Sequence, residues 1–437
     1  MVRPVISNSE IIVLIFLIFT LTLPFFQFNR NNKLTFAHPL IFYSAIMFFY
    51  TVLCPIYQIA FNETFNKGLD FREQYLLGWQ GALLSVISVF IGYSLKHKVK
   101  KGSKYCNLNY ESLWSIGLSI NIIGILSFML IMGFDLSNLN PFAGESQSID
   151  FLAYRGGFKN YFLYTQDFLV SGSLLMFASS YTTKKNFPIT LLSVLMSATL
   201  YLNQGFRYRL LFLFLSLIIF LLYKEEKLNA RRSIIIGLFA IIFGSLSMTL
   251  IGAIRNYDQG LDLAKINIES NVILNIVKTG ESTVFSTTSG IINLIPKTLP
   301  FENFYPIFKT IIHPLPSAFF DKDAGDYAFK ILDGVFGFKD IYKGAAYLNF
   351  GEFYLMFGWF GIFIFNFLLG YLFKKLWIWI NIHREEPLAI IIYILNVNYI
   401  FMVISRGYLP QIAHLYFFSL FPVYAIYFYK LKRKLTY

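Results

Sequence analysis

Apolar runs of about twenty residues, separated by short basic loops, recur along the whole chain. A helix needs about twenty apolar residues to cross the ~30 Å hydrocarbon core of a bilayer. Of the 437 residues, 56% are hydrophobic and only 14% are charged, whereas roughly a quarter of the residues in soluble domains are charged. The sequence therefore predicts an all-α polytopic membrane protein.

Eleven segments are apolar and long enough to be interpreted as transmembrane helices. They are residues 10–28, 38–61, 75–95, 112–133, 161–181, 187–203, 208–223, 233–254, 347–373, 387–405 and 411–430. The run 284–296 is too short and too polar to span, so we expect a re-entrant or interfacial helix there. The predicted organisation is transmembrane helices 1–8 in residues 1–254, one large extracytoplasmic loop with short interfacial helices in 255–346, and transmembrane helices 9–11 with a basic tail in 347–437.

Lysine and arginine are concentrated in every second loop and in the C-terminal tail. These basic segments lie near residues 96–104, 184–185, 224–232, 374–384 and 430–434. The positive-inside rule places them in the cytoplasm, with the C-terminus inside and the N-terminus outside. The long segment 255–346 falls on the other face and has nine Lys and Arg against ten Asp and Glu. A polar segment of this length is usually functional.

Several function classes are excluded by the composition and by missing motifs. The net charge of +13 would suit nucleic acid, but the basic residues lie in short loops between apolar runs, so no nucleic acid is expected as a partner. Two cysteines cannot build a disulfide framework, and the five histidines form no pair at metal-ligand spacing. The sequence has no Walker A, G-x-G-x-x-G, G-x-S-x-G or H-E-x-x-H motif. We therefore predict no metal and no cofactor.

Four segments on the outer face place arginine beside glycine at or near the end of a span. They contain Arg155, Arg207 with Arg209, Arg255, and Arg406. A guanidinium keeps its charge and offers a fork of donors that matches phosphate oxygens. Each of these arginines has an alternative role as an interfacial residue whose head group reaches water, but their grouping on one face favours an anion site. Arg209 lies deeper and is expected to pair with a carboxylate or with the same ligand.

Two glutamates and one histidine are candidates for acid–base chemistry. Glu281 precedes the short apolar run, and Glu352 opens the ninth predicted span, where an ionisable residue is a functional candidate. The alternative for Glu352 is a structural pair with a nearby arginine. His313 is the only histidine in the long loop, and it is either an acid, base or phosphate donor or a structural residue. We reject Asp321-Lys322-Asp323 as a D-x-D metal element, because nucleotide sugars are not available outside the cytoplasm.

At these residues the chain resembles bacterial O-antigen and capsular repeat-unit polymerases of the Wzy type. The resemblance rests on QGFRYRLL at a span start, IGAIRN where the long loop begins, HPLPS within it and GEFYLMFGWFG after it. Ten to twelve spans with one large outward loop are also similar to that family. The resemblance implies that undecaprenyl-pyrophosphate-linked oligosaccharide repeat units are joined into O-antigen or capsular polysaccharide at the outer face of the bacterial inner membrane, by metal-independent glycosyl transfer.

The resemblance also implies roles for the candidate residues. A base is needed for the attacking sugar hydroxyl, and the candidates are Glu352 or Glu281, with His313 in reserve. The candidates for binding the substrate pyrophosphate are Arg155, Arg207, Arg209, Arg255 and Arg406. The expected partners are the lipid-linked oligosaccharide and membrane lipids, and binding of a chain-length regulator (co-polymerase) protein is left open. The alternative functions are an O-antigen ligase-type transferase and a flippase or transporter of lipid-linked oligosaccharide.

Overall fold

The structure is a computed structural model that describes the greater part of the chain. The described residues are 6–30, 37–66, 68–96, 108–131, 159–203, 207–224, 255–256, 260–261, 283–313, 315, 327–337 and 346–433. Most of them are helical, as the apolar runs predict.

Fifteen helices and two short hairpins make up these residues. The helices are α1 (Asn8–Arg30), α2 (Pro39–Phe48), α3 (Cys54–Ala60), α4 (Tyr75–Ser94), α5 (Tyr110–Ile131), α6 (Lys159–Thr165), α7 (Phe168–Thr183), α8 (Phe187–Asn203), α9 (Arg207–Lys224), α10 (Val284–Leu294), α11 (Tyr305–Ile312), α12 (Tyr327–Val335), α13 (Asn349–Ile382), α14 (Pro387–Ser405) and α15 (Leu409–Arg433). A π-helical turn, Phe49–Leu53, joins α2 to α3, and a 3-10 turn, Arg72–Gln74, precedes α4. The hairpins are antiparallel: β1 (Phe65–Asn66) pairs with β2 (Leu69–Asp70), and β3 (Arg255–Asn256) pairs with β4 (Gly260–Leu261).

Seven helices in the described part of the chain are long and apolar enough to cross a membrane. They are Asn8–Gln27, Pro39–Ala60, Arg72–Ser94, Tyr110–Leu130, Asn349–Ile382, Pro387–Ser405 and Leu409–Lys430. Three more of the predicted spans are occupied by α7, α8 and α9, which have 16, 17 and 18 residues. The predicted span 233–254 lies outside the described residues. The polytopic all-α architecture is therefore confirmed, whereas eleven spans remain a prediction.

Ion pairs group the helix ends into two sets. Arg72 Nη2 lies 2.8 Å from Glu10 Oε2, so the starts of α1 and α4 are at one end of the bundle. Lys185 Nζ lies 2.7 Å from Glu111 Oε1, so the α7–α8 connection and the start of α5 are at one end as well. Both pairings agree with the alternation of basic loops. The positive-inside rule predicts that the end with Lys185 is cytoplasmic.

The helix α10 covers the run 284–296, for which the sequence left a re-entrant and an interfacial helix open. Its eleven residues are about 16 Å long at 1.5 Å per residue, half of what a span needs. Residues 284–292 are all buried, and α10 packs against α4, α12 and α13. Thr288 Oγ1 accepts a hydrogen bond of 2.8 Å from the Leu348 backbone N–H. Burial on all sides favours the re-entrant alternative.

The helix α13 is broken near its start. Phe357 (φ −141°, ψ 23°) and Gly358 (φ 63°, ψ −147°) leave the helical region, so a short segment, residues 349–356, precedes the long one. All eight residues of the short segment are buried. This segment carries Glu352, and the break at Gly358 therefore fixes how Glu352 is aimed.

Substitution of Gly358 by alanine is expected to destabilise the protein by about 1–3 kcal/mol. Its backbone angles lie near a region that is essentially restricted to glycine, and a Cβ there would also lie 3.3 Å from Phe301 Cζ. Thermal unfolding in detergent would measure the loss. Leu368→Ala, at an exposed position of the same helix, is the control, and equal unfolding temperatures for the two variants would contradict this expectation.

Candidate active site

A single carboxylate joins three elements at one end of the bundle. Glu352 is fully buried, at 0% exposure, and accepts hydrogen bonds from the phenols of Tyr327 and Tyr347, the latter at 2.7 Å. The backbone N–H of Leu409 lies 3.4 Å from Glu352 Oε1. The site thus gathers α12, the segment that leads into α13, and the start of α15 around one acidic group.

The Tyr327 phenol belongs to the segment between the spans and covers Glu352. Burial, together with the negative charge of Glu352, raises the pKa of Tyr327 well above its usual range. The phenol therefore keeps its proton at neutral pH and donates a hydrogen bond to the carboxylate. Its ring also packs against Tyr408, with ring centroids 5.5 Å apart.

The junction between α14 and α15 packs against Tyr347, one of the two tyrosines that donate to Glu352. The Gly407 backbone N–H donates to the Tyr347 carbonyl at 2.6 Å, and a Cβ on Gly407 would lie 2.4 Å from the Tyr347 ring. Only glycine permits this approach. Arg406, next to Gly407, is half-buried, and its Nη1 donates to the Ser405 carbonyl at 3.2 Å. An arginine and a glutamate that are 54 positions apart in the sequence are thereby placed around Tyr347.

The start of α9 lies beside the same junction. The Tyr208 side chain hydrogen-bonds Gln411 and interacts electrostatically with Arg406. Arg207 is the first residue of α9, and its side chain lies outside the described part of the structure. The start of α9, which carries Arg207, therefore lies near Arg406.

Arg209 forms a buried ion pair. Its Nε lies 2.6 Å from Asp167 Oδ1, and Nη2 lies 3.3 Å from Oδ2. The two side chains are 6% and 2% exposed. Of the two alternatives stated for Arg209, the structure shows the carboxylate pair. That pair compensates the charge of Arg209 and supports the fold beside the site, and the role of Arg209 in binding the pyrophosphate stays a prediction.

His313 ends α11 and packs against a second histidine. Its ring centroid lies 5.3 Å from that of His414 in α15, and His414 is buried against Tyr164 in α6. This arrangement holds α11 to the bundle, which is the structural alternative stated for His313. Its role as a reserve acid or base stays a prediction.

Three of the remaining candidates cannot be placed beside Glu352. Arg155 and Glu281 lie outside the described residues. Arg255 is the first residue of β3, paired in register with Leu261, and its side chain is likewise not described. Their roles remain predictions.

Two residues of the site were not singled out in the sequence. Asp167 stands within the predicted span 161–181, where an ionisable residue is a functional candidate by default, so the sequence did contain a signal for it. Tyr327 has no such signal, because a tyrosine in a loop rich in aromatics is not distinctive. Only the fold shows that it meets Glu352.

Comparison with known proteins gives the family of this chain. A family model described as O-antigen polysaccharide polymerase Wzy matches residues 2–434, nearly the whole length. Neither the curated proteins nor the solved structures gave a match. The resemblance inferred from the arginine and GEFYLMFGWFG motifs is confirmed. The chain belongs to the O-antigen polysaccharide polymerase Wzy family, and it is a multi-pass membrane protein that polymerises O-antigen repeat units as a glycosyltransferase.

Proposed function

We propose that this polymerase joins undecaprenyl-pyrophosphate-linked repeat units at the outer face of the inner membrane, with Glu352 as the general base and Arg406 in the pyrophosphate clamp. The observation that carries the proposal is that Tyr347 donates to the buried Glu352 carboxylate while its backbone carbonyl accepts from Gly407, the residue after the half-buried Arg406. A membrane-embedded ionisable residue is expensive and is usually functional. Glu352 and Arg406 lie at the end of the bundle that the positive-inside rule places outside.

The reaction breaks one bond and forms another without a redox change. The acceptor sugar hydroxyl oxygen attacks the anomeric carbon of the donor, and the bond between that carbon and the pyrophosphate oxygen breaks. The hydroxyl proton passes to the Glu352 carboxylate, and polyprenyl pyrophosphate leaves with the bonding electron pair. A positioned carboxylate of this kind typically accelerates such a step about 10²–10⁴-fold.

Tyr327 marks where the acceptor hydroxyl binds. Its phenol O–H donates to Glu352, just as a sugar hydroxyl must before it gives up its proton. Burial and the charge of Glu352 raise the pKa of Tyr327, which favours the protonated phenol. We infer that the acceptor hydroxyl displaces the Tyr327 hydroxyl from Glu352, while Tyr347 keeps the carboxylate in place.

The charge of the pyrophosphate leaving group accounts for the proposed role of the arginines. A pyrophosphate gains negative charge as the anomeric bond breaks, and fixed cations stabilise that charge most when water is excluded. Arg406 is proposed for this task, and the arginine segments at Arg155, Arg207 and Arg255 are proposed to complete the clamp. Arginine can neutralise phosphate oxygens through paired hydrogen bonds without a divalent ion, so the proposed transfer needs no metal.

Incubation of the purified protein with its lipid-linked repeat unit, in buffer with a chelator, tests the proposal. The expected product is a ladder of oligosaccharides spaced by one repeat unit. Addition of a single glycan without a ladder would contradict polymerisation, and a ladder that forms only with added divalent metal would contradict the arginine clamp. Reconstitution in sealed liposomes with substrate on one side would test the orientation.

Substitution of Arg406 by alanine is expected to reduce the rate of polymerisation about tenfold to a hundredfold, because one hydrogen bond to a charged group is worth about 1.5–3 kcal/mol. Arg406→Lys should keep the charge but recover only part of the rate, since lysine lacks the planar fork. The control is Arg384→Ala, an exposed arginine at the other end of the bundle. Full activity of a folded Arg406→Ala protein would exclude Arg406 from the clamp.

A further inference from the structure

A long apolar groove runs along α15 between α13 and α14. Its volume is about 840 Å³, within the ~300–1,000 Å³ typical of ligand sites. It extends from Leu409 to Phe428, twenty residues whose nineteen steps of 1.5 Å correspond to about 28 Å of helix. This length nearly equals the ~30 Å hydrocarbon thickness of a bilayer.

The groove is built for hydrocarbon and is open to the side. Phe417 and Phe428 line it and are 50% and 61% exposed, so a chain can enter from the surrounding lipid. Three polar side chains on its wall satisfy one another: Tyr416 donates to Asn396 Oδ1 at 2.8 Å, and Asn396 Nδ2 donates to the Tyr424 hydroxyl at 3.0 Å. Apart from these, Thr310, Lys375 and the hydroxyls of Tyr399 and Tyr427, the lining is aliphatic and aromatic, which suits an uncharged chain with branches.

The outer end of the groove meets the candidate active site twice. Leu409 lines the groove, and its backbone N–H lies 3.4 Å from Glu352. Tyr399 also lines the groove and, on its other side, the small cavity that contains Arg209 and Asp167. Arg406 lies three residues before Leu409. A molecule with its tail in the groove would thus have its head group between Glu352 and the arginines.

The chemistry of the two substrates distinguishes whose tail this is. In the donor, only the pyrophosphate separates the reacting anomeric carbon from the polyprenyl chain. In the acceptor, the reacting hydroxyl is at the far, non-reducing end of the repeat unit, a whole oligosaccharide away from its chain. Both reacting atoms must meet at Glu352. Only the donor can therefore react there while its chain enters a groove that begins within hydrogen-bonding distance of the base.

We propose that the α13–α14–α15 groove binds the polyprenyl chain of the donor, the lipid that carries the growing glycan, and that the acceptor chain binds elsewhere. This inference rests on the proposed function and adds to it an assignment of one substrate to one surface. The donor and the acceptor carry the same polyprenyl chain, and the inference predicts that the enzyme binds the two chains at different surfaces.

The experiment separates donor from acceptor chemically. The donor carries a full-length polyprenyl pyrophosphate and is methylated at its acceptor hydroxyl, so it cannot accept. The acceptor carries the same chain through a carbon–carbon bond, so it cannot leave. A second donor has a chain of only two isoprene units. The KM of each is measured for the wild type, for Ala413→Trp, which fills the groove, and for Leu192→Trp, a control at a 68% exposed position of α8.

The expected result is a rise of about tenfold in the KM of the long-chain donor for Ala413→Trp, the effect of losing contact with about two methylene groups. The KM of the short-chain donor, the KM of the acceptor and every constant of Leu192→Trp should stay at the wild-type values. An unchanged KM for the long-chain donor would show that the groove holds ordinary membrane lipid and would overturn the inference. A rise in the acceptor KM alone would also overturn it.

A second measurement does not depend on a folded variant. A long-chain donor with a diazirine on its terminal isoprene unit is photolysed with the wild-type protein, and the labelled peptide is identified by mass spectrometry. Labelling of the inner half of α15, around Tyr424 and Phe428, is expected, and labelling confined to other helices would contradict the groove. Failure of the wild type to join the capped donor to the acceptor would contradict the proposed function itself, which keeps the two failures distinct.

Discussion

Glu352→Gln is expected to reduce polymerisation about 10²–10⁴-fold, the range that a general base contributes. Glutamine keeps the size of the side chain and can still accept the hydrogen bond from Tyr347. It cannot take the proton of the acceptor hydroxyl. The rate of ladder formation from purified lipid-linked repeat unit measures the loss. The variant should still bind donor, because the arginines and the lipid groove are unchanged.

The control for Glu352→Gln is Glu302→Gln. Glu302 also lies in the segment before α13, where it is 3.8 Å from Lys330 and only partly buried. This variant should polymerise at the wild-type rate. If Glu352→Gln is folded and forms the same ladder at the same rate as the control, Glu352 is a structural acceptor for two tyrosines and not the base.

Variants of Tyr327 and Tyr347 also distinguish a general base at Glu352 from a structural carboxylate. If the acceptor hydroxyl takes the position of the Tyr327 hydroxyl, Tyr327→Phe should leave kcat near the wild-type value and lower the KM for acceptor, since no phenol competes for Glu352. Tyr347→Phe should lower kcat, because Glu352 then loses the donor that holds it in place. A purely structural carboxylate would instead make both variants lose stability without a split between kcat and KM.

Much of the fold follows from apolar length and charge alternation, because lipid leaves a chain few choices. Backbone groups cannot stay unpaired in hydrocarbon, so an apolar run of twenty residues must become a helix. That argument predicted the spans and also excluded residues 284–296 as one of them. It could not predict the break in α13, since a glycine in an apolar run reads equally as close packing or as a backbone turn. The angles at Gly358 depend on the contacts of its neighbours.

The candidate residues of the site could be named from the sequence, but their arrangement could not. Glu352 and Arg406 stood out because charged groups at span ends are costly. The segments that carry them meet where Gly407 contacts Tyr347, a contact between two distant positions that leaves no local pattern. The same holds for Arg209, for which a ligand and a carboxylate were both plausible. Periodicity and composition cannot choose between them, because the partner, Asp167, lies on another helix.

The Arg209–Asp167 pair is expected to carry the largest effect on stability. Asp167→Asn removes the negative charge and leaves a guanidinium that is 6% exposed without its carboxylate. Breaking a buried pair in this way typically costs about 3–5 kcal/mol. The expected result is a large drop in the unfolding temperature in detergent, together with loss of activity, because α7 and α9 are no longer held together beside Arg406. The double variant Asp167→Leu with Arg209→Leu should recover much of the stability, since two apolar residues leave no buried charge. It should not recover full activity if Arg209 supports the site.

The matched control is Glu111→Gln, which breaks the exposed pair with Lys185 and should leave the unfolding temperature unchanged. Equal unfolding temperatures for Asp167→Asn and Glu111→Gln would mean that water reaches the pair, and the structural role assigned to Arg209 would then be wrong.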